Sequence, residues 1–152
     1  MVMTALGRRH KPRDTHLWSA LLPRNTALAV AIVVEIAIHS DGHPLNGRVL
    51  SKRYRLPPRH FEPLLQMLAR NRILHSTPGV HGGYELTRKP ARITLEQIFI
   101  AVAADKSNSQ MRLTVNARSA NMKAFSKVQR SLLAALRSIS VKDLTRRART
   151  AR

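Results

Sequence analysis

The chain has 152 residues, 43% of them hydrophobic, which is enough to form one domain with a buried core. Its 27 Lys and Arg residues against 8 Asp and Glu residues give a formal net charge of +19, which favours a polyanionic partner, above all nucleic acid. The absence of cysteine excludes disulfides, thiolate metal sites and thiol nucleophiles, and nothing points to an oxidising compartment, so we expect a cytoplasmic protein.

Residues 1–24 are predicted to be a flexible basic extension, because they lack the continuous apolar stretch of a signal peptide. A first helix is predicted to follow, with Asn25 or Thr26 as its cap and residues 40–42 as its end. Its apolar run, 27–38, is interrupted by Glu35 and is well short of the roughly 20 residues that a membrane span needs. The run therefore indicates a buried helix.

Two further helices are predicted before residue 71. A short extended piece over residues 43–45 leads to Asn46, which is expected to cap the second helix, and that helix should end near the Pro57–Pro58 pair. The prolines are then predicted to open the third helix, with Pro63 tightening or kinking its early turns. The second helix is expected to turn three side chains inward: Val49, Leu50 and Tyr54.

The third helix is predicted to be amphipathic. At about 100° per residue its apolar side chains fall on one stripe, which should be buried: Phe61, Leu64, Leu65 and Leu68. The opposite face carries Arg59, Gln66 and Arg70. Guanidinium and amide groups can read base edges or bind phosphates, so this face is a candidate DNA contact.

A β-hairpin is predicted next, because two short alternating runs are joined by a Gly- and Pro-rich tip at 77–83. Three helices followed by a hairpin indicate a winged helix-turn-helix DNA-binding domain, which we assign to residues 25–104. Thr94 and Gln97 have the spacing of a capping box and are expected to open a fourth helix through Val102. Residues 105–121 are predicted to be a loop.

The last part of the chain predicts a long amphipathic helix. Residues 122–145 are assigned to a dimerisation helix and a closing segment, and residues 146–152 to a basic tail. An apolar stripe this far from the core predicts a partner helix, and its residues are the expected dimer interface: Phe125, Val128, Leu132 and Leu136. The fold class is therefore predicted to be mainly α with a small β-hairpin.

Several segments together resemble one family. The run Gly79-Val80-His81-Gly82-Gly83-Tyr84-Glu85-Leu86 matches the G-x-x-G-G-Y-x-L wing of the Rrf2 family of bacterial winged-helix regulators. Residues 61–65 resemble its recognition-helix core, residues 93–98 its post-wing helix and residues 140–144 its closing segment. The resemblance covers about residues 25–145.

The resemblance implies a homodimer that reads a palindromic operator in double-stranded DNA, with the helix-turn-helix in the major groove and the wings along the minor groove. The positions that match DNA-contacting surfaces are Arg59, His60, Glu62, Gln66, His81 and Gly82. Many family members hold an iron-sulfur cluster through three cysteines, but the matching stretch, 105–121, has none, and Asn25 lies near where some members place an acidic ligand. We therefore expect no cofactor and no metal.

These features favour a sequence-specific transcriptional regulator, a repressor whose effector is an unknown small molecule or protein. Lys52 is expected to contact phosphates alone, and Arg70 is either a DNA contact or a solvated helix charge. The alternative is a non-specific nucleic-acid-binding accessory protein, because a charge of +19 attracts polyanions on any fold. His39 and His43 are weak metal candidates, since a turn separates them, and no catalytic arrangement stands out, so an enzyme is not expected.

Overall fold

The structure, a computed structural model, describes residues 24–39, 43–104 and 120–150, with the backbone alone over 120–125. Within these residues the elements follow in chain order: α1 Arg24–His39, α2 Gly47–Tyr54, α3 Glu62–Arg70, β1 Leu74–Thr77, β2 Gly83–Leu86, α4 Leu95–Ala103, α5 Ala120–Arg137 and α6 Val141–Thr150. Two 3-10 turns, Pro58–His60 and Pro90–Arg92, precede α3 and α4. Helices with one antiparallel hairpin confirm the predicted fold class.

Helix α1 forms the centre of the core, because its apolar residues recur at intervals of three and four and pack against α3, α4, α6 and β2. The predicted cap at Asn25 or Thr26 is wrong, since α1 already includes both residues and Thr26 is buried within it. The predicted extension, apart from Arg24, and the predicted helix end at 40–42 lie outside the described residues. No helix in the described ranges combines the length and apolarity that crossing a membrane requires.

Helix α2 begins where the sequence predicts. The side chain of Asn46 accepts a hydrogen bond of 2.9 Å from the backbone N–H of Arg48, which confirms the cap. Leu50 is buried and Tyr54 packs at the edge of the core. Val49 is 43% exposed, so its predicted inward position is wrong: this eight-residue helix buries only one narrow side.

A buried acid links α1 to α2. Glu35 lies in the apolar α1, and its carboxylate forms an ion pair with the guanidinium of Arg53 on α2. The Nδ1 atom of His39 lies 3.1 Å from the same carboxylate. Because a buried charge without a partner is costly, this ion pair explains how an acid can occupy the core helix.

The closing segment returns to the core. The backbone N–H of Leu95 donates to the carbonyl of Ile139 at 2.9 Å, and that of Val141 donates to the carbonyl of Ile93 at 2.8 Å. Val141 is fully buried, and α6 packs along α1. The predicted basic tail is therefore helical as far as Thr150, because the inner side of α6 packs on the domain; residues 151–152 lie outside the described residues.

Helix α5 joins the domain at its carboxyl end. Arg137 donates two hydrogen bonds of 2.7 Å, from Nε and Nη2, to the buried carboxylate of Glu96 on α4. These hydrogen bonds and the charge of Arg137 hold the pKa of Glu96 below its ordinary value of 4.5, against the opposing effect of burial. The helix starts at Ala120, two residues before the predicted start, and the rest of the predicted loop lies outside the described residues.

Glu96→Gln should lower the free energy of unfolding at neutral pH, because the variant loses the ion pair with Arg137. Since the pKa of Glu96 is lowered in the folded state, its contribution is complete above 4.5 and is lost as the pH falls through the lowered value. In urea unfolding, the deficit of the variant should therefore shrink as the pH is lowered below 4.5. Glu85→Gln, on the wing strand, is the control, and a deficit that stays constant over this range would contradict the prediction.

Candidate nucleic-acid interface

The amphipathic division of α3 is as predicted. The apolar stripe is buried, together with Met67, which the sequence analysis did not place in the core: Phe61, Leu64, Leu65, Met67 and Leu68. This side packs against α1, α4 and β1. Glu62, Gln66 and Arg70 are exposed on the other side. The helix therefore presents a carboxylate, an amide and a guanidinium to solvent.

The start of the third helix differs from the prediction. Pro57 and Pro58 do not open α3, because residues 58–60 form a separate 3-10 turn and α3 begins at Glu62 with Pro63 in its first turn. Proline is tolerated there, since the first backbone N–H groups of a helix have no partner within it. Arg59 and His60 are exposed on the turn instead of lying on the helix, so their direction is set by the turn.

The hairpin is fixed beside the start of α2. Leu45 and Tyr84 exchange two backbone hydrogen bonds, of 2.8 and 3.0 Å, so the predicted extended piece at 43–45 pairs with the second wing strand. A Cβ atom on Gly83 would lie 2.7 Å from the carbonyl oxygen of Leu45, so only glycine allows this close approach. The position of the wing relative to the helix-turn-helix follows from this contact.

A cleft of about 790 Å³ lies between the starts of α2 and α3 and the wing. Its lining includes two predicted site residues, Glu62 and Gly82. It also includes polar side chains that the sequence analysis missed: Asn46, Arg48, Ser76 and Thr77. The cap at Asn46 was the available signal, because it places Arg48 in the first turn of α2, where cations and backbone N–H groups together attract phosphate.

The other predicted residues are exposed but are not part of this lining. Lys52 lies on α2, one turn beyond Arg48, and His81 lies at the wing tip. Arg70 lies in the last turn of α3, about 12 Å along the helix axis from Glu62. These residues can touch one duplex only at separate points along it.

Gly82 does not fit its predicted role. It is buried, and a Cβ atom there would lie 2.1 Å from the carbonyl oxygen of Thr77. Because Gly82 is buried under the wing tip, it is not placed to contact DNA. Close packing against the backbone of Thr77 explains why a glycine occupies this position. The residues that the tip exposes are Pro78, Gly79, Val80 and His81.

Comparison with known proteins points to one family. The model of the Rrf2 family, described as iron-dependent transcriptional regulators, matches residues 22–147. A protein of Synechocystis named as an HTH-type transcriptional regulator, slr0846, is 32% identical over 74 residues, or 49% of this chain and 50% of that protein. The chain thus spans about half the length of that relative. BadM of Rhodopseudomonas palustris, also named as an HTH-type transcriptional regulator, is 28% identical over 127 residues, covering 81% and 80% of the two chains.

Solved structures show the same fold. The IscR protein of T. potens superposes with a TM-score of 0.69 over 86% of this chain and 90% of its own, at 24% identity. At this identity the likeness concerns the fold alone.

The residues of this chain do not fit a thiolate-bound iron-sulfur cluster. The sequence contains no cysteine. In the described ranges no three His, Asp or Glu side chains are grouped as metal ligands would be, and His39 contacts Glu35 and Arg53. The iron in the description of the family therefore has no evident ligands among the residues that the structure describes.

Gly82→Ala should lower the free energy of unfolding by about 1 to 3 kcal/mol, because the added methyl group collides with backbone. Gly47→Ala is the matched control: its Cβ would lie at an ordinary 3.7 Å from Leu65, and alanine favours helix by up to about 1 kcal/mol. Urea unfolding measures both. Equal effects of the two substitutions would contradict the packing explanation for Gly82.

Proposed function

The chain belongs to the Rrf2 family and is a DNA-binding transcriptional regulator, and from that premise we propose that it is a sequence-specific repressor acting as a homodimer on a palindromic operator. The observation that carries this proposal is the exposed side of α3, which presents Glu62 and Gln66 to solvent, with Glu62 in the cleft beside the wing, while the apolar side is held in the core. It is a regulator and not an enzyme.

In the proposed complex the first turns of α3 enter the major groove. A carboxylate accepts a hydrogen bond from the amino group of cytosine, an amide pairs with adenine and a guanidinium with guanine. We assign these base contacts to Glu62, Gln66 and Arg59, with His60 beside them. Lys52 contacts the phosphate backbone and His81, at the wing tip, faces the minor groove. Arg70, at the far end of α3, contacts a phosphate.

The homodimer is proposed from the surface of α5. Val128 is 64% exposed and Leu132 is 56% exposed, although both are large and apolar. Leu136 continues the stripe and is partly buried, whereas the side chain of Phe125 lies outside the described residues. Pairing this stripe with its two-fold mate would remove apolar surface from water and set two recognition helices on one face of the duplex.

We propose that regulation does not use an iron-sulfur cluster, since the usual thiolate ligands are missing. Binding across a promoter would repress transcription, and an unidentified small molecule or protein would act as the effector. The protein would work in the cytoplasm, on the nucleoid.

The formal charge of +19 supports a second candidate, a non-specific nucleic-acid-binding protein. The two functions differ in the ratio of the affinity for the operator to the affinity for scrambled duplex. A regulator prefers its operator over scrambled duplex by roughly 10³-fold or more, whereas a coating protein has no such preference.

Arg59→Ala should lose about 1 to 3 kcal/mol of binding free energy on the operator and much less on scrambled duplex, because it removes a contact to a base. Lys52→Ala should weaken binding to both duplexes alike and lower the salt slope by about one for each protomer, because it removes a contact to a phosphate. Fluorescence anisotropy titrations at several salt concentrations, on an operator first located by genome-wide footprinting with the purified protein, measure both effects.

Equal losses on both duplexes for Arg59→Ala would show that Arg59 only neutralises charge. The non-specific candidate would then be favoured, most strongly if the unaltered protein also binds both duplexes equally.

Leu132→Asp should convert the dimer into a monomer or an aggregate, because it puts a charge at the centre of the proposed interface. Ala134→Asp, which adds the same charge on the side of α5 opposite the stripe, should leave the dimer intact. Size-exclusion chromatography with light scattering gives the masses. A folded dimer in the Leu132→Asp variant would place the interface elsewhere.

A further inference from the structure

Helix α6 has a basic outer face. Lys142, Arg146 and Arg149 recur at intervals of four and three, so they lie on one side of the helix, and all three are exposed. The opposite side packs on the domain, with Val141 fully buried and Leu144 partly buried. We call these three residues the C-terminal basic face.

A second basic segment packs against α6. The 3-10 turn Pro90–Arg92 packs against α6, and the hydrogen bond from Val141 to Ile93 joins the two. Lys89 and Arg92 are exposed on this turn. Cations that are about 50 residues apart in the sequence thus lie on two elements that pack against each other.

The one acid on α6 is engaged with the start of the helix. The Oδ2 atom of Asp143 accepts hydrogen bonds from the backbone N–H of Ser140, at 3.0 Å, and from its hydroxyl, at 2.5 Å. Arg146 approaches Asp143 at 3.7 Å from the solvent side. Because the carboxylate of Asp143 is set against the three cations of the C-terminal basic face, this surface stays strongly positive.

We propose that the C-terminal basic face, with Lys89 and Arg92, is a second DNA-binding surface, which holds backbone phosphates outside the operator core without reading sequence. The inference rests on the proposed function. The ten residues of α6 extend about 15 Å, a length over which duplex DNA offers several phosphates. Arginine suits this role because its planar guanidinium can give two parallel hydrogen bonds to one phosphate.

DNA fits this surface better than a membrane does. A helix that binds at a lipid surface inserts an apolar face beneath the headgroups, but the apolar side of α6 is covered by α1. An acidic protein surface is the remaining alternative, and it predicts that the basic face has no effect on DNA binding.

The test compares two variants of the full chain that lose the same formal charge. Lys142→Gln/Arg149→Gln alters the C-terminal basic face, and Lys127→Gln/Arg130→Gln removes two exposed cations from α5. Each is titrated over a range of salt on a duplex limited to the operator core, on one extended by about two helical turns at each end, and on a scrambled duplex of the longer length. Circular dichroism and thermal unfolding check that both variants are folded.

On the extended duplex we expect the α6 variant to lower the salt slope by about 3.6, since each protomer of the dimer loses two phosphate contacts and each contact contributes about 0.9. The ratio of affinities for extended operator and scrambled duplex should not change, and on the core duplex the slope should stay at the value of the unaltered protein. The α5 variant should have a markedly smaller effect on the extended duplex.

Equal slopes for the two variants on the extended duplex would overturn the proposal, because net charge would then explain the whole effect. The same holds if the α6 variant matches the unaltered protein on every duplex. Failure of the proposed function is a separate result: the unaltered protein would show no preference for the operator, whatever the slopes.

Discussion

The burial of one side of α3 is the constraint on which the DNA-binding surface depends. Phe61, Leu65 and Leu68 are held in the core, where α3 packs against α1, α4 and β1. With these side chains fixed, the helix cannot rotate about its axis without exposing apolar surface, which costs about 25 cal/mol per Å². Glu62 and Gln66 therefore face solvent in one orientation, as a surface that reads bases needs.

Backbone contacts between distant segments hold the other parts in place around that helix. Leu45 pairs with Tyr84 and places the wing, and residues 139–141 pair with residues 93–95 and return the end of α5 to the domain. The ion pair between Glu96 and Arg137 reinforces this second junction. Helix α5 is thus bonded to α4, which in turn packs against α3.

Three acids among the described residues are engaged in contacts within the fold. Glu35 and Glu96 are buried in ion pairs, and Asp143 is engaged with the first turn of α6. Each of these carboxylates also pairs with an arginine, so their charges stabilise contacts within the fold. Glu62 is different, because it is exposed on the side of α3 where a carboxylate can accept a hydrogen bond from a base.

The sequence by itself determined the features that local chemistry controls. Hydrophobic periodicity predicted the buried stripe of α3 and the helix α5, side-chain caps predicted the starts of α2 and α4, and alternation around a glycine-rich tip predicted the wing. Each depends on residues within one turn or one hairpin, so neighbours in the sequence suffice.

Tertiary structure alone decided the rest, because the deciding partners are remote in sequence. The burial of Gly82 and the exposure of Val49 depend on packing, and so does the folding of the basic residues after Val141 into a helix along α1. The cleft that joins Arg48 to Thr77 arises only when the wing pairs with Leu45. No periodicity or motif in either segment indicates the pairing of Leu45 with Tyr84, which forms across about 40 residues of chain.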